Sequence, residues 1–337
     1  MTNDARDRSW RTAVAKYQRS DLWRSSWQVA NTFIPYFLVW YLMYRSLAVS
    51  YWITLALSVL AAGFLTRIFI IFHDCGHGAF FKSQKANDIL GFITGVLTLS
   101  PYYGWRHEHA VHHATAGDLD RRGIGDIWTL TVREYLALPP KKRLWYRVYR
   151  HPLVLFFLGP LFLFLIWHRV PGRAGSKRER HSVYWTNLAL AAIIAVMSVT
   201  VGIKAFLMVQ FPIVVIAGAA GVWLFYVQHQ YEGVYWERHE DWDYVSVALQ
   251  GSSFYKLPKI LQWFTGNIGF HHIHHLSPRI PNYYLEKCHN ENPMFHQVKS
   301  IGLRESFKSL SFRLWDEDRH QLVGFDHLKT LQGQHAS

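Results

Sequence analysis

The chain has 337 residues and a formal net charge of +13; half of its residues are hydrophobic and 16% are aromatic. Mean hydropathy is still close to zero, at -0.01, because the apolar residues gather into long blocks with basic stretches between them. The basic residues flank apolar blocks and no recognition module appears, which argues against nucleic-acid binding. Two cysteines are too few for a four-thiolate iron–sulfur cluster.

In chain order, the N-terminal segment carries Arg6, Arg8, Arg11, Lys16, Arg19 and Arg24, with no apolar stretch and cleavage site of the kind a removable signal peptide needs. Trp27 to Tyr44 and Tyr51 to Phe72 follow, each about long enough to cross hydrocarbon. A second pair of such blocks runs from Val183 to Val201 and from Ala205 to Val227. Two shorter blocks, Ile89 to Leu99 and Pro152 to Ile166, suit re-entrant or interfacial helices. The stretch before the third long block holds Arg169, Arg173, Lys177, Arg178 and Arg180, whereas the turns after the first and third are short and almost uncharged. Lys and Arg mark the cytoplasmic side, so both termini and the large connections are expected there. The chain therefore reads as an all-α polytopic membrane protein forming a single domain over 1–337. Its parts would be a cytosolic segment 1–26, spans with an intervening cap over 27–228, and the rest of the cap with a tail over 229–337.

Three histidine clusters punctuate this pattern: His73-Asp74-Cys75-Gly76-His77, then His109 with His112 and His113, then His271 with His274 and His275. Residues three and four apart share a helix face, so each cluster is expected to aim its imidazoles at one point. Eight imidazoles exceed one coordination shell and ask for two ions, and imidazole suits iron, copper and zinc alike. The spacing does not choose among them. A zinc peptidase would need His-Glu-x-x-His, with the Glu as general base, and no cluster carries it; Glu108 stands just outside. The topology places all three clusters on one side of the membrane, which the metal hypothesis requires independently. Cys75 points away from the His73 and His77 face and is expected to pack. A transporter or sensor would place polar groups inside the spans, yet these are almost uncharged apart from Arg67. A metal pair beside apolar helices suits oxygen-dependent oxidation of a lipid or hydrocarbon.

The segments HDCGHGAF, WRHEHAVHHA and GNIGFHHIHHLSPRIPNYYL resemble the three histidine boxes of the membrane fatty acid desaturases, and most closely those of bacterial acyl-lipid desaturases. The likeness extends through LDRRGIGDIWTLTV, VWLFYVQHQYE and Gln250 to Trp263, covering roughly Phe72 to Asn290. It implies a bundle of four transmembrane helices with a cytosolic helical cap that holds two iron ions, in the cytoplasmic membrane of a bacterium. By the same resemblance the metal ligands are His73, His77, His109, His112, His113, His271, His274 and His275, joined by His229 at the end of the fourth span.

His107 and His272 fall off the ligand spacing, and His151, His168, His320 and His335 are expected to be solvated. Asp74, Asp118, Asp126, Glu232 and Asn267 are candidates to hold the outer nitrogens of ligating imidazoles. The implied reaction uses dioxygen to convert a single bond of a phospholipid acyl chain into a cis double bond. Trp105, Trp128, Trp223 and Trp263 are possible walls of the acyl tunnel. The first box has three intervening residues, as in acyl-lipid enzymes, where acyl-CoA desaturases usually have four. There is no haem-binding His-Pro-Gly-Gly motif, so electrons are expected from a separate ferredoxin or flavodoxin. A related hydroxylase or ketolase acting on a hydrocarbon or carotenoid is the alternative, because it carries similar boxes.

Overall fold

The computed structural model describes residues 3–172 and 175–329; Arg173 and His335 lie outside them. Helix α1 (Asn3–Ala15) leads into α2 (Leu22–Ser46), α3 (Tyr51–Gly76), α4 (Gln84–Leu97) and α5 (Tyr102–Thr115). Side chains outside the helices set the starts of the long ones. Asp21 accepts from the Arg24 amide to cap α2, and Ser50 accepts from the Trp52 amide to cap α3. The cap region follows, with α6 (Val132–Ala137), α7 (Pro140–Tyr149) and α8 (Gly159–Leu165), the last preceded by a π-helical turn at Val154–Leu158. Two long helices, α9 (Lys177–Thr200) and α10 (Ile203–His229), return the chain to the cap, which ends with α11 (Tyr244–Gln250), α12 (Lys259–Phe264), α13 (His271–Leu276), α14 (Asn282–Glu291) and α15 (Leu303–Ser306).

Among the described residues three helices, α3, α9 and α10, are both long and apolar enough to cross a membrane. The remaining expected span, Trp27 to Tyr44, lies within α2, which has the length but carries Gln28, Asn31 and Thr32 along one side. Those polar groups are used inside the protein. Gln28 donates to Asn282, and Thr32 accepts from the Arg67 Nε. The opposite side exposes Ile34, Phe37, Leu38 and Leu42. The block from Pro152 to Ile166 forms the second arm of a helix pair, Pro140–Tyr149 with Val154–Arg169, bent by 64° at the break. The block from Ile89 to Leu99 falls almost wholly in α4, which packs on α3 and α5. Its Gly91 allows that approach, because a Cβ there would stand 2.2 Å from the Tyr102 ring.

The expectation of an all-helical chain needs one correction. Five strands of two or three residues stitch the cap: β1 (Leu130–Thr131), β2 (Phe254–Lys256), β3 (Ser300–Gly302), β4 (Leu314–Asp316) and β5 (Gln321–Val323). β1 pairs in parallel with β4, β4 pairs antiparallel with β5, and β2 pairs in parallel with β3. Runs this short show no readable alternation of apolar and polar residues, so only the fold reveals them. α1 is also integral, burying Trp10, Val14 and Tyr17 against Ile273, Leu276 and Cys288. Cys75 packs among Phe72, Phe80 and Tyr102, as expected.

Two buried arginines tie these layers together. Arg67 in α3 donates from Nε to Thr32 at 3.1 Å and from an Nη to the Trp263 carbonyl, and stacks 4.0 Å above the Trp263 ring. Arg150, the C-cap of α7, is wholly buried with no carboxylate beside it. Its guanidinium donates to the Trp128 and Phe312 carbonyls, the Thr129 and Tyr226 hydroxyls and the Gln230 amide oxygen, at 2.6 to 3.2 Å. Neutral acceptors from three distant segments thus replace the water this cation gave up. Arg150→Met would leave those acceptors dry, and we expect a loss of about 2–4 kcal/mol. It would be read as a lower thermal unfolding midpoint of the purified protein, whereas an unchanged midpoint would show that the network contributes nothing net.

Candidate metal centre

Four segments deliver histidines to one place. α3 carries His73 in its last turn and ends on His77; α5 carries His109, His112 and His113 in its last two turns; α10 ends at His229; and the short α13 carries His271, His274 and His275. α3, α5 and α10 all present their C-terminal ends, where unpaired carbonyls and the helix dipole favour a cation.

The nine imidazoles sort into two groups. One contains His73, His77, His109, His113 and His274; the other contains His112, His229, His271 and His275; within each, the ligand atoms lie within 4.8 Å of one another. The three boxes therefore do not each aim at a single point. At 3.6 residues per turn, positions i and i+4 stand about 40° apart around the helix while i+3 lies about 60° to the other side. His109 and His113 accordingly serve the first group and His112 the second. In α13 the roles are exchanged, with His271 and His275 in the second group and His274 in the first. Each His-x-x-His-His segment thus straddles both positions and fixes the distance between them.

The donor set was tested against a metal pair on these contacts. His112 and His229, His113 and His109, His271 and His229, His274 and His113, and His275 and His271 all meet through their Nε2 atoms, at 2.9 to 3.2 Å. Imidazole nitrogens bound at right angles to one ion at about 2.1 Å stand about 3.0 Å apart, so the spacing fits. His77 Nε2 is buried with no hydrogen-bond partner in the protein, as a nitrogen reserved for an ion would be.

The outer nitrogens fix the tautomers. His73 Nδ1 donates to Asp74 at 3.2 Å, His112 Nδ1 to Asp126 at 2.6 Å, and His229 Nδ1 to the Gly251 carbonyl at 3.3 Å, which leaves each Nε2 with its lone pair inward. The other Asp74 oxygen accepts from the Asn282 amide and side chain at 2.7 and 2.8 Å, tying the first box to the start of α14. Burial, and then the neighbouring imidazoles, hold His109, His113, His271, His274 and His275 well below the ordinary imidazole value of 6.5. They are neutral, as ligands must be.

Other residues expected at the site lie elsewhere. Asp118 is buried but accepts from His239 Nδ1 at 2.8 Å, and Glu232 is exposed near Lys308. Asn267 touches no box histidine; it sits at φ +58 and donates to the Asn282 carbonyl, so it braces the loop that Asp74 holds. A polar side chain near a box in sequence says nothing of its direction, which is why these three could not be told from Asp74 and Asp126. His272 is buried outside both groups, against His289 at 3.1 Å, and His107 is exposed. His168 is half-buried against Phe164 and the Leu99 carbonyl rather than solvated, His320 pairs with Glu237, and His151 is exposed.

Of the four tryptophans, Trp105 meets the box histidines. Its ring stacks on His109 with centroids 4.4 Å apart and planes at 21°, and its edge meets His73 at 5.7 Å. A Cβ on Gly76 would stand 2.9 Å from the Trp105 Cζ3, so the glycine inside the first box makes room for the indole that aligns a ligand from the second. Sequence reasoning passed over Gly76, although its place between the two histidines was a signal. Trp128 packs on Tyr146, Trp223 on Phe156, and Trp263 under Arg67.

Comparison with known proteins places the geometry in context. Residues 50–304 match the family model described as fatty acid desaturase. The chain is 54% identical over 318 residues to a fatty acid desaturase of Bacillus subtilis, covering 94% of this chain and 90% of that protein. It is 29% identical over 246 residues to the sn-1 acyl-lipid omega-3 desaturase (ferredoxin) of Synechocystis, covering 66% and 62% of the two chains. It is 28% identical over 242 residues to the sn-1 oleoyl-lipid 12-desaturase of Synechocystis, covering 67% and 64%.

Two outcomes follow from the geometry. Gly76→Ala should displace Trp105 and weaken metal binding by about 10-fold or more, as measured by metal retained per chain against a chelator. Gly76→Ala combined with Trp105→Phe should recover part of that loss, since the clashing atom is gone; no recovery would mean that the glycine matters for another reason. The second concerns pH. The folded histidines resist protonation, whereas those of the unfolded chain take up protons below 6.5. The metal-stripped protein should therefore keep its full stability above that pH and lose it progressively as pH falls below it. Thermal unfolding across a pH series checks this, and a flat profile would contradict buried neutral imidazoles.

Proposed function

The chain belongs to the fatty acid desaturase family, and we propose that it forms a cis double bond in an acyl chain still esterified in a membrane glycerolipid. As a member of that family it is an oxidoreductase that desaturates fatty acyl chains with dioxygen, in a membrane. The observation that carries the finer reading is the pair of all-histidine groups, five and four strong, at the cap-facing ends of α3 and α10. We infer that His73, His77, His109, His113 and His274 hold one iron ion and His112, His229, His271 and His275 the other. When bound, such ions supply the oxygen activation that an unactivated C–H bond requires.

The protein's own part is placement. Asp74 and Asp126 keep the outer protons of His73 and His112 in place, so the Nε2 lone pairs stay turned inward. Trp105 keeps the His109 ring in plane. Burial of the site excludes bulk water, and the apolar helices below it offer a path along which one C–C bond can be held in register. In this reading α2, α3, α9 and α10 are the four spans, and the block from Pro152 to Ile166, in the arm Val154–Arg169, dips into the membrane without crossing it. The cap and both termini then face the cytoplasm of a bacterium, with 1–26, 27–228 and 229–337 as parts of one domain. Two observations support acyl-lipid substrate and an external donor. The first box has the acyl-lipid spacing, and a Synechocystis relative is named as an acyl-lipid, ferredoxin-type desaturase. A ferredoxin or flavodoxin would deliver the electrons.

Expression in a bacterium that makes no unsaturated lipid of its own, beside a His112→Ala control, tests the proposal. Membrane lipids analysed by mass spectrometry with double-bond localisation should show a new cis-monoene on intact glycerolipid with the parent chain alone, the control falling by at least about 100-fold. Hydroxylated or ketonic lipid would instead assign the related oxygenase reaction. A monoene appearing first on a free or thioester-bound acyl chain would overturn the glycerolipid substrate.

A further inference from the structure

We propose that α7 and the groove beside it form a docking surface for the anionic phospholipid headgroups of the bilayer. The helix is two-sided. Inward, Tyr146 is fully buried, its hydroxyl donating to the Arg313 carbonyl and accepting from the Leu130 amide. Outward, Leu144, Trp145 and Val148 are 62%, 72% and 42% exposed, and Lys141 and Lys142 are exposed at the start of the same helix. Among the described residues neither lysine forms an ion pair. A helix with Trp and Leu beside lysines on its free side has the composition of one lying in a membrane interface.

The inner flank of α7 borders a groove of about 430 Å³ whose lining includes Tyr135, Leu136, Arg143, Arg147, Phe325 and Lys329. Arg147 donates from Nε to the Tyr135 hydroxyl at 2.7 Å and stacks 4.4 Å above Phe325, and its Nη groups have no hydrogen-bond partner among the described residues. Arg143, Arg147 and Lys329 line this groove with Asp326, which pairs with Lys329, while Arg143 donates to the Leu136 and Leu138 carbonyls; Lys141 and Lys142 stand outside it on the same helix. Cations over apolar walls match the phosphate and upper acyl carbons of an anionic phospholipid.

Continuity selects a bilayer over a soluble protein as the occupant. Four residues beyond α7 the chain turns by 64° into Val154–Arg169, which exposes Phe157, Leu158, Phe162, Leu165 and Ile166 and needs hydrocarbon around it. Trp145 sits just before this turn, and on this proposal it would serve as an interfacial anchor. The same helix ends in Arg150, bonded to Thr129 and to Gln230, the neighbour of His229. Seating α7 on the headgroups would therefore set the attitude of the cap over the membrane. This inference rests on the chain being a membrane protein and is independent of the metal assignment.

The test uses the full chain with Trp145→Cys, labelled with an environment-sensitive fluorophore; Cys75 and Cys288 are buried. The protein is reconstituted in nanodiscs of phosphatidylcholine with rising fractions of phosphatidylglycerol. As phosphatidylglycerol increases, iodide quenching should fall and quenching by a lipid spin-labelled near its headgroup should rise. Adding Lys141→Gln with Lys142→Gln should move the midpoint of that titration upward by about fivefold or more. Equal iodide access at every composition would overturn the proposal, as would protection that ignores phosphatidylglycerol and the lysines. Protection arising only when an acidic ferredoxin is added would overturn it too and make the face a protein dock. Because the readout needs no turnover, an inactive preparation tests it equally well.

Discussion

Everything in this protein answers to the need to bury nine imidazoles together with little to satisfy them but one another. Unpaired polar groups taken out of water cost about 1–3 kcal/mol each in proteins, and His77 Nε2, His113 Nδ1 and His271 Nδ1 are left without protein partners. Close neutral imidazoles with inward lone pairs form an unfavourable arrangement unless a cation supplies the missing attraction. The scaffold meets this need in advance by ending α3, α5 and α10 at the same place, so that three sets of terminal carbonyls face the site.

That convergence explains why the histidines are grouped as they are. A single His-x-x-His-His turn cannot direct all three rings to one ion, because its second and third histidines diverge by about 100° around the helix. Two such turns facing one another in opposite sense bind two positions at a set separation. The first box and His229, at the ends of α3 and α10, then complete the two histidine groups. Asp74 and Asp126 orient rings on different groups, and they come from opposite sides: Asp74 from within the first box and Asp126 from the loop before β1. Gly76 and Trp105 link the boxes once more, the absence of a side chain on one permitting the indole of the other.

Holding such a site at the end of a membrane bundle requires a cap that cannot drift. Arg67 joins α3 to α2 and to α12, and Arg150 joins α7 to α10 and to the segment before β4. Both cations are satisfied largely by backbone carbonyls and neutral side chains. Those groups can come from any segment, so an arginine can connect regions where a carboxylate partner would bring its own desolvation cost. The short strands add register where the chain crosses itself. The membership shown by the family match and by the Bacillus relative fits this construction, since the matched residues 50–304 contain every box.

The sequence alone determined the class of the protein and most of its chemistry. Apolar block length is a one-dimensional quantity, so all four expected spans were read from it; three form helices long and apolar enough to cross a membrane, and α2 falls short because it carries polar side chains that face inward, a direction that composition does not record. Histidine spacing is likewise local, and it picked out eight of the nine histidines that gather there and pointed to two positions for them; His229 was added by the family resemblance. Which group each imidazole joins was decided by tertiary structure, because the division depends on how α5 and α13 face each other. The same holds for Asp74 and Asp126 over Asp118, Glu232 and Asn267, and for the five strands. These rest on contacts between residues far apart in the chain, and only the folded backbone fixes the direction in which each side chain points.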